Sequence, residues 1–190
     1  MIEALQQIIQ CLKAYKPILE AEPPQTTGFY AVFVISNDCF NNTDLSQIKK
    51  GDCIYIGIAE NETLFERVAE SHLKNTGRST LRRSMGGVLR TKLDLKPIKR
   101  GITTTINNIS NYTFSPESEQ RLTDFMYTHL GLAFFPYNNL DCSFEAIEKK
   151  LIEEFGFPIF NIEYAGSRNP YKRIIKELRK ECRSIVAREI

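Results

Sequence analysis

Apolar residues recur with two different periods along the chain. Over residues 1–21 they fall every three or four positions, which predicts an amphipathic helix that Pro23 and Pro24 end. Two short apolar runs rich in aromatic and β-branched residues, 28–35 and Cys53–Ala59, predict strands. Because one polar segment separates these two runs, we expect them to pair as antiparallel neighbours.

Local start and stop signals predict further helices and a third strand. Thr63 and Glu66 match a capping box, and Ser115-Pro116 combines a capping hydroxyl with a proline in the first turn. The remaining predicted elements are helices over 79–93 and 143–155, a terminal helix after Asn169-Pro170 and a short strand over 132–137. These elements predict an α+β fold with a small three-stranded sheet, mixed or antiparallel, flanked by several helices. We divide the chain into a helical extension (1–24), a central domain (25–165) and a basic C-terminal helix (166–190).

Composition excludes several classes of protein. With 42% hydrophobic and 25% charged residues, the chain is not predicted to be disordered. It contains no apolar run of about 18 residues, so we expect no membrane span, and its N-terminus lacks the pattern of a secretory signal. The five cysteines are odd in number and lack close pairs, so we expect reduced thiols in a cytoplasmic protein.

Charge is distributed unevenly although the net charge is only +2. Residues 1–70 hold five Lys or Arg and ten Asp or Glu, whereas residues 71–100 hold nine Lys or Arg and a single Asp. The tail from 168 to 190 holds eight basic and three acidic residues. Two basic segments of this kind fit either a surface that binds a polyanion or ordinary solvated helix faces.

One glutamate lies on the apolar side of its predicted helix. Relative to Phe144, Glu148 falls at about 40° around the helix, between Leu151 and Ile152, which belong to the buried stripe. An ionised carboxylate among apolar neighbours is unfavourable unless a cation or hydrogen bonds satisfy it. The pattern therefore predicts either a metal ion or a buried salt bridge to an Arg or Lys at Glu148.

A histidine and two tyrosines also occupy apolar positions. His72 continues the apolar face of the helix that follows Thr63, where it is either a satisfied core residue or a functional one. Tyr30 and Tyr55 each lie two residues from a glycine in the two adjacent strands. A strand glycine often marks a close approach of the backbone, and simple packing is the alternative explanation for the tyrosines.

Taken together, these residues resemble the GIY-YIG nuclease family. Its two strand motifs are represented by Gly28-Phe29-Tyr30 and Tyr55-Ile56-Gly57, and its helix Arg and His by Arg67 and His72. The family's E-x-x-L-I glutamate corresponds to Glu148, and its asparagine after a proline corresponds to Asn161. Arg67 and His72 are five residues apart where the family has four. On an ideal helix they diverge by about 140°, so an irregular turn is needed to aim both at one centre.

The resemblance implies a metal-dependent phosphodiesterase that cuts nucleic acid, with double-stranded DNA as the expected substrate. It implies that Glu148 binds Mg²⁺ or Mn²⁺, that Tyr30 deprotonates or orients the attacking water, and that Tyr55 hydrogen-bonds within the tyrosine pair. It further implies that Arg67 neutralises phosphate charge, that His72 assists proton transfer or contacts phosphate, and that Asn161 holds local structure or the phosphate backbone. The implied nucleic-acid contacts are Lys74, Arg78, Arg82 and Arg83.

Two other functions fit the same sequence. A binding module that kept the fold but lost cleavage would be consistent with the unusual spacing of Arg67 and His72. A structural protein whose basic helices face an acidic partner would need neither metal nor nucleic acid.

Overall fold

The computed structural model describes residues 2–138, 143–163 and 168–188. The strands in these ranges are β1 (Lys16–Pro17), β2 (Gly28–Val34), β3 (Cys53–Ala59), β4 (Pro97–Ile98), β5 (Thr113–Phe114) and β6 (Leu130–Pro136). Within this described part, four strands form an antiparallel sheet in the order β1-β6-β2-β3, and β4 pairs with β5 in a separate two-stranded sheet. The chain is therefore α+β, and the predicted antiparallel pairing of β2 with β3 is confirmed.

Helices surround the sheet on both faces. They are α1 (Ile2–Lys13), α2 (Thr80–Leu89), α3 (Ile106–Ser110), α4 (Pro116–His129), α5 (Phe144–Glu154) and α6 (Lys172–Arg188). Two 3₁₀ turns, Ile18–Glu20 and Thr76–Arg78, and a π-helix over Glu66–His72 complete the regular structure of the described residues.

Side-chain caps fix where several of these helices begin. The hydroxyls of Ser79, Ser115 and Ser143 accept hydrogen bonds from backbone N–H groups in the first turns of α2, α4 and α5. Thr63 and Glu66 form the predicted capping box, since the Thr63 amide donates to the Glu66 carboxylate (2.8 Å) and the Glu66 amide donates to the Thr63 hydroxyl (3.1 Å).

The central strand β2 separates two apolar cores. All seven of its residues are buried, and alternate side chains point to opposite faces of the sheet. Tyr30 and Val32 pack into the core that contains α2 and α4, whereas Phe29 and Ala31 pack against residues of α1 and α5. Tyr30 therefore lies between the sheet and the helices that follow β3.

Two predictions about the fold are wrong in detail. The first helix ends at Lys13 rather than near residue 21, because Pro17 disfavours helical backbone at Lys16 and both residues pair with β6 as β1. The sheet contains a fourth strand in addition to the predicted three, because a strand of two residues has no periodic pattern to detect.

Other expectations concern features that the structure describes only in part. Cys11, Cys39, Cys53 and Cys182 are free thiols, and Cys142 lies outside the described residues. In the ranges that are described, no helix combines the length and the apolar character needed to cross a membrane.

Candidate active site

Tyr30 lies across the neighbouring strand because Gly57 has no side chain. The two residues are register partners in the β2–β3 pair. A Cβ atom at Gly57 would lie 2.4 Å from both the Cζ and the Oη of Tyr30, so any larger residue would displace the ring. Gly28 is needed for a different reason, since a Cβ there would lie 2.3 Å from the carbonyl oxygen of Phe135 on β6.

Tyr55 is the diagonal neighbour of Tyr30 on the same face of the sheet. Its register partner is Val32, and the centroids of the two tyrosine rings are 6.0 Å apart. Tyr30 is fully buried, whereas Tyr55 is partly exposed. The pair therefore has an inner hydroxyl and an outer one.

The π-helix brings Arg67 and His72 to the same side of the chain. Its hydrogen bonds run from residue i+5 to residue i, as seen where the Leu73 amide donates to the Val68 carbonyl (2.9 Å). In this wider helix, residues five apart lie nearly above one another instead of diverging. The irregular turn predicted from the spacing is thus present.

His72 is held between Tyr30 and Ser79. Its Nε2 is 2.5 Å from the Tyr30 hydroxyl, and its Nδ1 is 2.6 Å from the Ser79 hydroxyl. Ser79 Oγ also accepts from the Arg82 amide (2.9 Å). We infer that the Ser79 O–H donates to Nδ1 and that Nε2–H donates to Tyr30, because Nε2–H is the intrinsically more stable tautomer of a neutral histidine. Burial lowers the pKa of His72 well below its ordinary value, and the positive charges of Arg67 and Arg82 lower it further, so the imidazole is neutral.

Arg67 supplies positive charge beside the two tyrosines. Burial raises the pKa of both phenols, strongly at Tyr30, and the Arg67 charge acts in the opposite direction on both. Its side chain is 30% exposed, and one Nη donates to Glu62 at 3.4 Å. Its Nε is buried and has no hydrogen-bond partner within the described residues. Arg67 therefore retains donor capacity for a ligand.

Glu148 is a buried carboxylate without an ion pair. The residue is 5% exposed on α5, which packs against β3, and no Lys or Arg of the described ranges lies within 4.0 Å of its carboxylate. Burial raises its pKa to about 7, although the charge of Arg67 acts in the opposite direction. Its negative charge also raises the pKa of Tyr30 and Tyr55, so it lies within electrostatic reach of the tyrosine pair.

These properties of Glu148 fit a divalent cation. A buried carboxylate that no described cation neutralises is satisfied by Mg²⁺ or Mn²⁺, hard ions that prefer oxygen ligands. The described residues contain no group of three or more His, Cys, Asp or Glu that could hold a metal ion. The ion would therefore be bound through one carboxylate and keep its other ligands as water or substrate oxygens, which Mg²⁺ commonly does.

Asn161 fixes the backbone of β3 between Tyr55 and Gly57. Its Oδ1 accepts from the Ile56 amide (2.8 Å) and its Nδ2 donates to the Ile56 carbonyl (2.7 Å). Because β3 is an edge strand, these two backbone groups have no strand partner on that side. Asn161 takes the place of such a partner and holds the segment that carries both motif residues.

The four basic residues expected to contact nucleic acid have different environments. Lys74 and Arg78 are exposed, and Lys74 pairs with Glu70 (2.6 Å). Arg82 is 0% exposed and its guanidinium is paired with Glu119 (2.8 Å), so the prediction that it binds nucleic acid is wrong. Arg83 is 6% exposed and donates to the Thr76 and Gly77 carbonyls and the Thr80 hydroxyl, so it is not displayed on the surface as Lys74 and Arg78 are, and its contact with nucleic acid stays a prediction. Sequence counting cannot distinguish these cases, because buried and exposed arginines contribute equally to a charge run.

Ser79 is a site residue that sequence reasoning did not assign. We predicted only that a helix begins there, and the structure shows its hydroxyl capping α2 and contacting His72 at once. The polar residues Thr76 and Glu119, which hold Arg82 in place, were also not identified as part of this support. Only the capping signal at Ser79 was present in the sequence, since its contact with His72 depends on the turn between them.

Comparison with known families gives one match. The family model described as the GIY-YIG catalytic domain matches residues 28–181, which is most of the chain. No curated protein and no solved structure matches the chain. The matched residues include both tyrosines, Arg67, His72, Glu148 and Asn161. The chain therefore belongs to the GIY-YIG family, whose catalytic domain is a nuclease domain.

Proposed function

We propose that the protein is a divalent-metal-dependent endonuclease that hydrolyses phosphodiester bonds in double-stranded DNA. The observation that carries the proposal is Glu148, a buried carboxylate that has no described ion-pair partner and lies within electrostatic reach of Tyr30, Tyr55 and Arg67. A carboxylate, a guanidinium and two phenols that act electrostatically on one another match the needs of phosphoryl transfer, where positioning and charge stabilisation dominate.

Arg67 would bind the phosphate undergoing cleavage. Its guanidinium keeps an unpartnered Nε and is close enough to lower the pKa of both phenols. Charge-assisted hydrogen bonds from a guanidinium to phosphate oxygens strengthen as negative charge develops in the transition state. Tyr55, the more exposed phenol, would contact the substrate at the rim of the site.

Tyr30 would orient the attacking water. Its raised pKa keeps the phenol protonated at neutral pH, so its hydroxyl works as a fixed hydrogen-bonding group rather than as a strong base. His72 would hold that hydroxyl in place, since both of its ring nitrogens are used by Tyr30 and Ser79. His72 thus acts through Tyr30 and does not itself contact phosphate.

Glu148 would hold the Mg²⁺ or Mn²⁺ ion. When bound, such an ion polarises the phosphate and stabilises the leaving oxygen. The carboxylate must be ionised to bind it, and its pKa of about 7 means that protons compete with the metal near neutral pH. We therefore expect metal binding to strengthen as the pH rises from about 6 to about 8.

The non-catalytic alternative loses its main support. It was based on the separation of Arg67 and His72, which the π-helix compensates. The alternative of a structural protein with an acidic partner has no observation that favours it over the nuclease, because Arg82 and Arg83 are buried rather than displayed. A cytoplasmic location remains a prediction from the sequence.

Plasmid nicking with matched variants tests the proposal. We expect wild-type protein to convert supercoiled plasmid to nicked or linear DNA with Mg²⁺ or Mn²⁺ and not with EDTA. Glu148→Gln should reduce the rate about a hundred- to a thousandfold, the range seen when a group that stabilises the transition state is removed. Glu154→Gln, an exposed change on the same helix, should leave the rate unchanged.

Either of two results would defeat the proposal. Full activity of Glu148→Gln would remove the metal-binding assignment, and cleavage in EDTA would remove the dependence on a divalent ion. Circular dichroism spectra that coincide for all three proteins exclude misfolding as the cause of any loss.

A further inference from the structure

Four arginines gather where α2, α6 and the Thr76–Arg78 turn meet. This arginine cluster consists of Arg83, Arg100, Arg179 and Arg183. Two of its members converge on one acceptor, since Nη1 of Arg83 and Nη1 of Arg100 each donate to the Gly77 carbonyl oxygen at 3.1 Å. Gly77 is itself buried, so these two guanidiniums share a confined space.

The other two arginines come from α6, which passes directly over α2. A Cβ atom at Gly87 would lie 3.5 Å from the Leu178 carbonyl carbon and 3.6 Å from the Arg179 amide nitrogen. Arg83 is one helical turn before Gly87, and Arg183 is one turn after Arg179. The two helices thus pack closely at Gly87, and the charges of Arg179 and Arg183 both act on Arg83.

No acidic residue in the described part of the chain forms an ion pair with this cluster. Within the described ranges, none of the four arginines forms an ion pair, whereas the nearby Arg82 and Arg90 pair with Glu119 and Glu181. Glu163, whose charge acts on Arg179, pairs instead with Lys176. The cluster is thus a concentration of positive charge with no ion-paired carboxylate among the described residues.

Two arginines of the cluster also have a buried hydrogen-bond donor without a partner among the described residues. Arg83 is only 6% exposed, and its Nε has no hydrogen-bond partner in the described residues. The buried Nε of Arg179 also has no hydrogen-bond partner there. Burial and the positive charges of Arg179, Arg100 and Arg183 lower the pKa of Arg83 to about 10. The guanidinium therefore remains charged at neutral pH and is repelled by the neighbouring arginines. Buried donors and buried charge of one sign are unfavourable without an anionic ligand.

We propose that the arginine cluster binds a backbone phosphate of the DNA substrate at a position other than the phosphate that is cleaved. Guanidinium groups match the geometry of phosphate oxygens, and Arg100, Arg179 and Arg183 are half-buried and so remain accessible. Arg83 contributes charge at the floor of the site. The inference rests on the proposed function, because that function makes duplex DNA the source of the phosphate.

The position of the cluster connects it to the catalytic residues. Gly77, on which Arg83 and Arg100 converge, is two residues before Ser79, whose hydroxyl holds His72. A phosphate bound here would fix the duplex relative to the same turn that orients His72 and Tyr30. The cluster would therefore set which phosphate of the strand reaches Arg67 and Glu148.

Duplex binding in EDTA tests the proposal without any cleavage. Fluorescence anisotropy with a 5′-labelled duplex of about two helical turns gives the Kd and its salt dependence. We expect Arg179→Gln to weaken binding about tenfold and to reduce the slope of log K against log salt by about 1. The matched control is Arg173→Gln, which removes the same charge from α6 where the side chain is 91% exposed, and which should weaken binding less than about twofold.

Thermal stability gives a second readout that a purely structural arginine would not produce. In low-salt chloride buffer, Arg179→Gln relieves repulsion within the cluster and should raise the Tm by about 2–4 °C. Inorganic phosphate at matched ionic strength should raise the Tm of the wild type and not that of the variant. A lower Tm for Arg179→Gln, together with unchanged duplex binding, would show that the arginine only holds α6 in place and would overturn the proposal.

The outcomes separate this site from the proposed activity. If the plasmid is not cut but Arg179→Gln still weakens duplex binding relative to Arg173→Gln, the phosphate site stands and the nuclease assignment fails. If the plasmid is cut and the two variants bind equally, the nuclease stands and the phosphate site fails. If inorganic phosphate stabilises the wild type selectively while duplex binding is unaffected, the ligand is a small anion and the DNA assignment is overturned.

Discussion

Two buried charged residues, Arg82 on α2 and Glu148 on α5, differ in how their charges are satisfied. Arg82 pairs with Glu119 and also donates to the Leu73 carbonyl (2.9 Å), the Glu119 carbonyl (2.7 Å) and the Thr123 hydroxyl (2.8 Å). Glu148 has no described ion pair and a pKa raised by burial to about 7. Both residues are buried, yet among the described residues only Arg82 has an ion-pair partner.

A buried charge that stabilises the fold differs from a buried charge that is available to a ligand. A buried ion pair whose hydrogen bonds are complete holds its surroundings in one arrangement, and breaking it is costly. A buried carboxylate without a partner destabilises the fold until a ligand arrives, which is a common property of active sites. The two groups should therefore respond to substitution with opposite signs.

The largest effect is expected at Arg82. Arg82→Met should lower the free energy of unfolding by about 3–5 kcal/mol, because it leaves the partly buried Glu119 carboxylate without its cation and the Leu73 and Glu119 carbonyls without their donor. Urea unfolding followed by circular dichroism measures this change. Arg90→Met is the control, since its pair with Glu181 is more exposed and should contribute less than about 1 kcal/mol. Equal losses for the two variants would contradict the distinction.

Substitution of Glu148 should raise the free energy of unfolding rather than lower it. Its pKa is higher in the folded state, at about 7, than the ordinary value of 4.5, so the folded state binds the additional proton. The wild type should consequently lose stability as the pH rises through this window. In EDTA, Glu148→Gln should be more stable than the wild type at pH 8, by an amount on the order of 2–3 kcal/mol, and nearly equal to it at pH 5.

The measurement is urea unfolding of both proteins across that pH range, with Glu154→Gln as the control. A stability difference that does not change with pH would mean that Glu148 is ionised throughout and already has a partner. Addition of Mn²⁺ at pH 8 should then raise the Tm of the wild type and leave Glu148→Gln unchanged.

A smaller effect is expected from substitution of Gly57, the residue of β3 over which the Tyr30 ring lies. Gly57→Ala would place a methyl group 2.4 Å from the Tyr30 hydroxyl oxygen, and overpacking of this kind costs about 1–3 kcal/mol. The nicking rate should fall as well, because Tyr30 must move away from His72. Gly87→Ala is the control, since its Cβ would meet only ordinary contacts at 3.5 Å and alanine favours a helix. Normal cleavage by Gly57→Ala would show that the position of Tyr30 is not important.

The smallest change in stability, with a specific change in chemistry, is expected at Ser79. Ser79→Ala removes the cap of α2, at a cost of about 1 kcal/mol, and frees Nδ1 of His72. Ser115→Ala removes the cap of α4 at a similar cost and has no contact with His72, so it should leave the cleavage rate unchanged. We expect the rate of Ser79→Ala to fall about tenfold, the scale of one hydrogen bond, and Ser79→Thr to restore it.

Nitrogen chemical shifts of His72 would check the cause of that loss. The wild type should show a protonated Nε2 and an unprotonated Nδ1, whereas Ser79→Ala should show a mixture of tautomers. A wild type already in the Nδ1–H form would contradict the assignment of Ser79 as the donor.

The sequence was sufficient to identify a residue whose charge conflicts with its apolar surroundings. The helical phase of Glu148 placed a carboxylate on an apolar face, and the structure finds it buried there. The strands β2 and β3 and the caps at Ser115 and Ser143 were also predictable, because their signals are local. The end of α1 at Lys13 was not, because Pro17 is a weaker signal than Pro23-Pro24 and the pairing partner β6 is distant in sequence.

Contacts between distant segments could not be predicted. The burial of Arg82 depends on Glu119, and the convergence of Arg83 and Arg100 on Gly77 depends on how the Thr76–Arg78 turn folds. A sequence shows only that these arginines are numerous. Whether each one is neutralised within the protein or left for a ligand is decided by tertiary packing.

The π-helix has a consequence for how such proteins are recognised. Arg67 and His72 face the same centre although one additional residue separates them, because the wider helix absorbs the insertion within its own turn. A search for Arg and His at a fixed separation of four would reject this chain. Separations within helical motifs are better counted in turns than in residues, and a functional pair can thus tolerate an insertion that would destroy it in a regular α-helix.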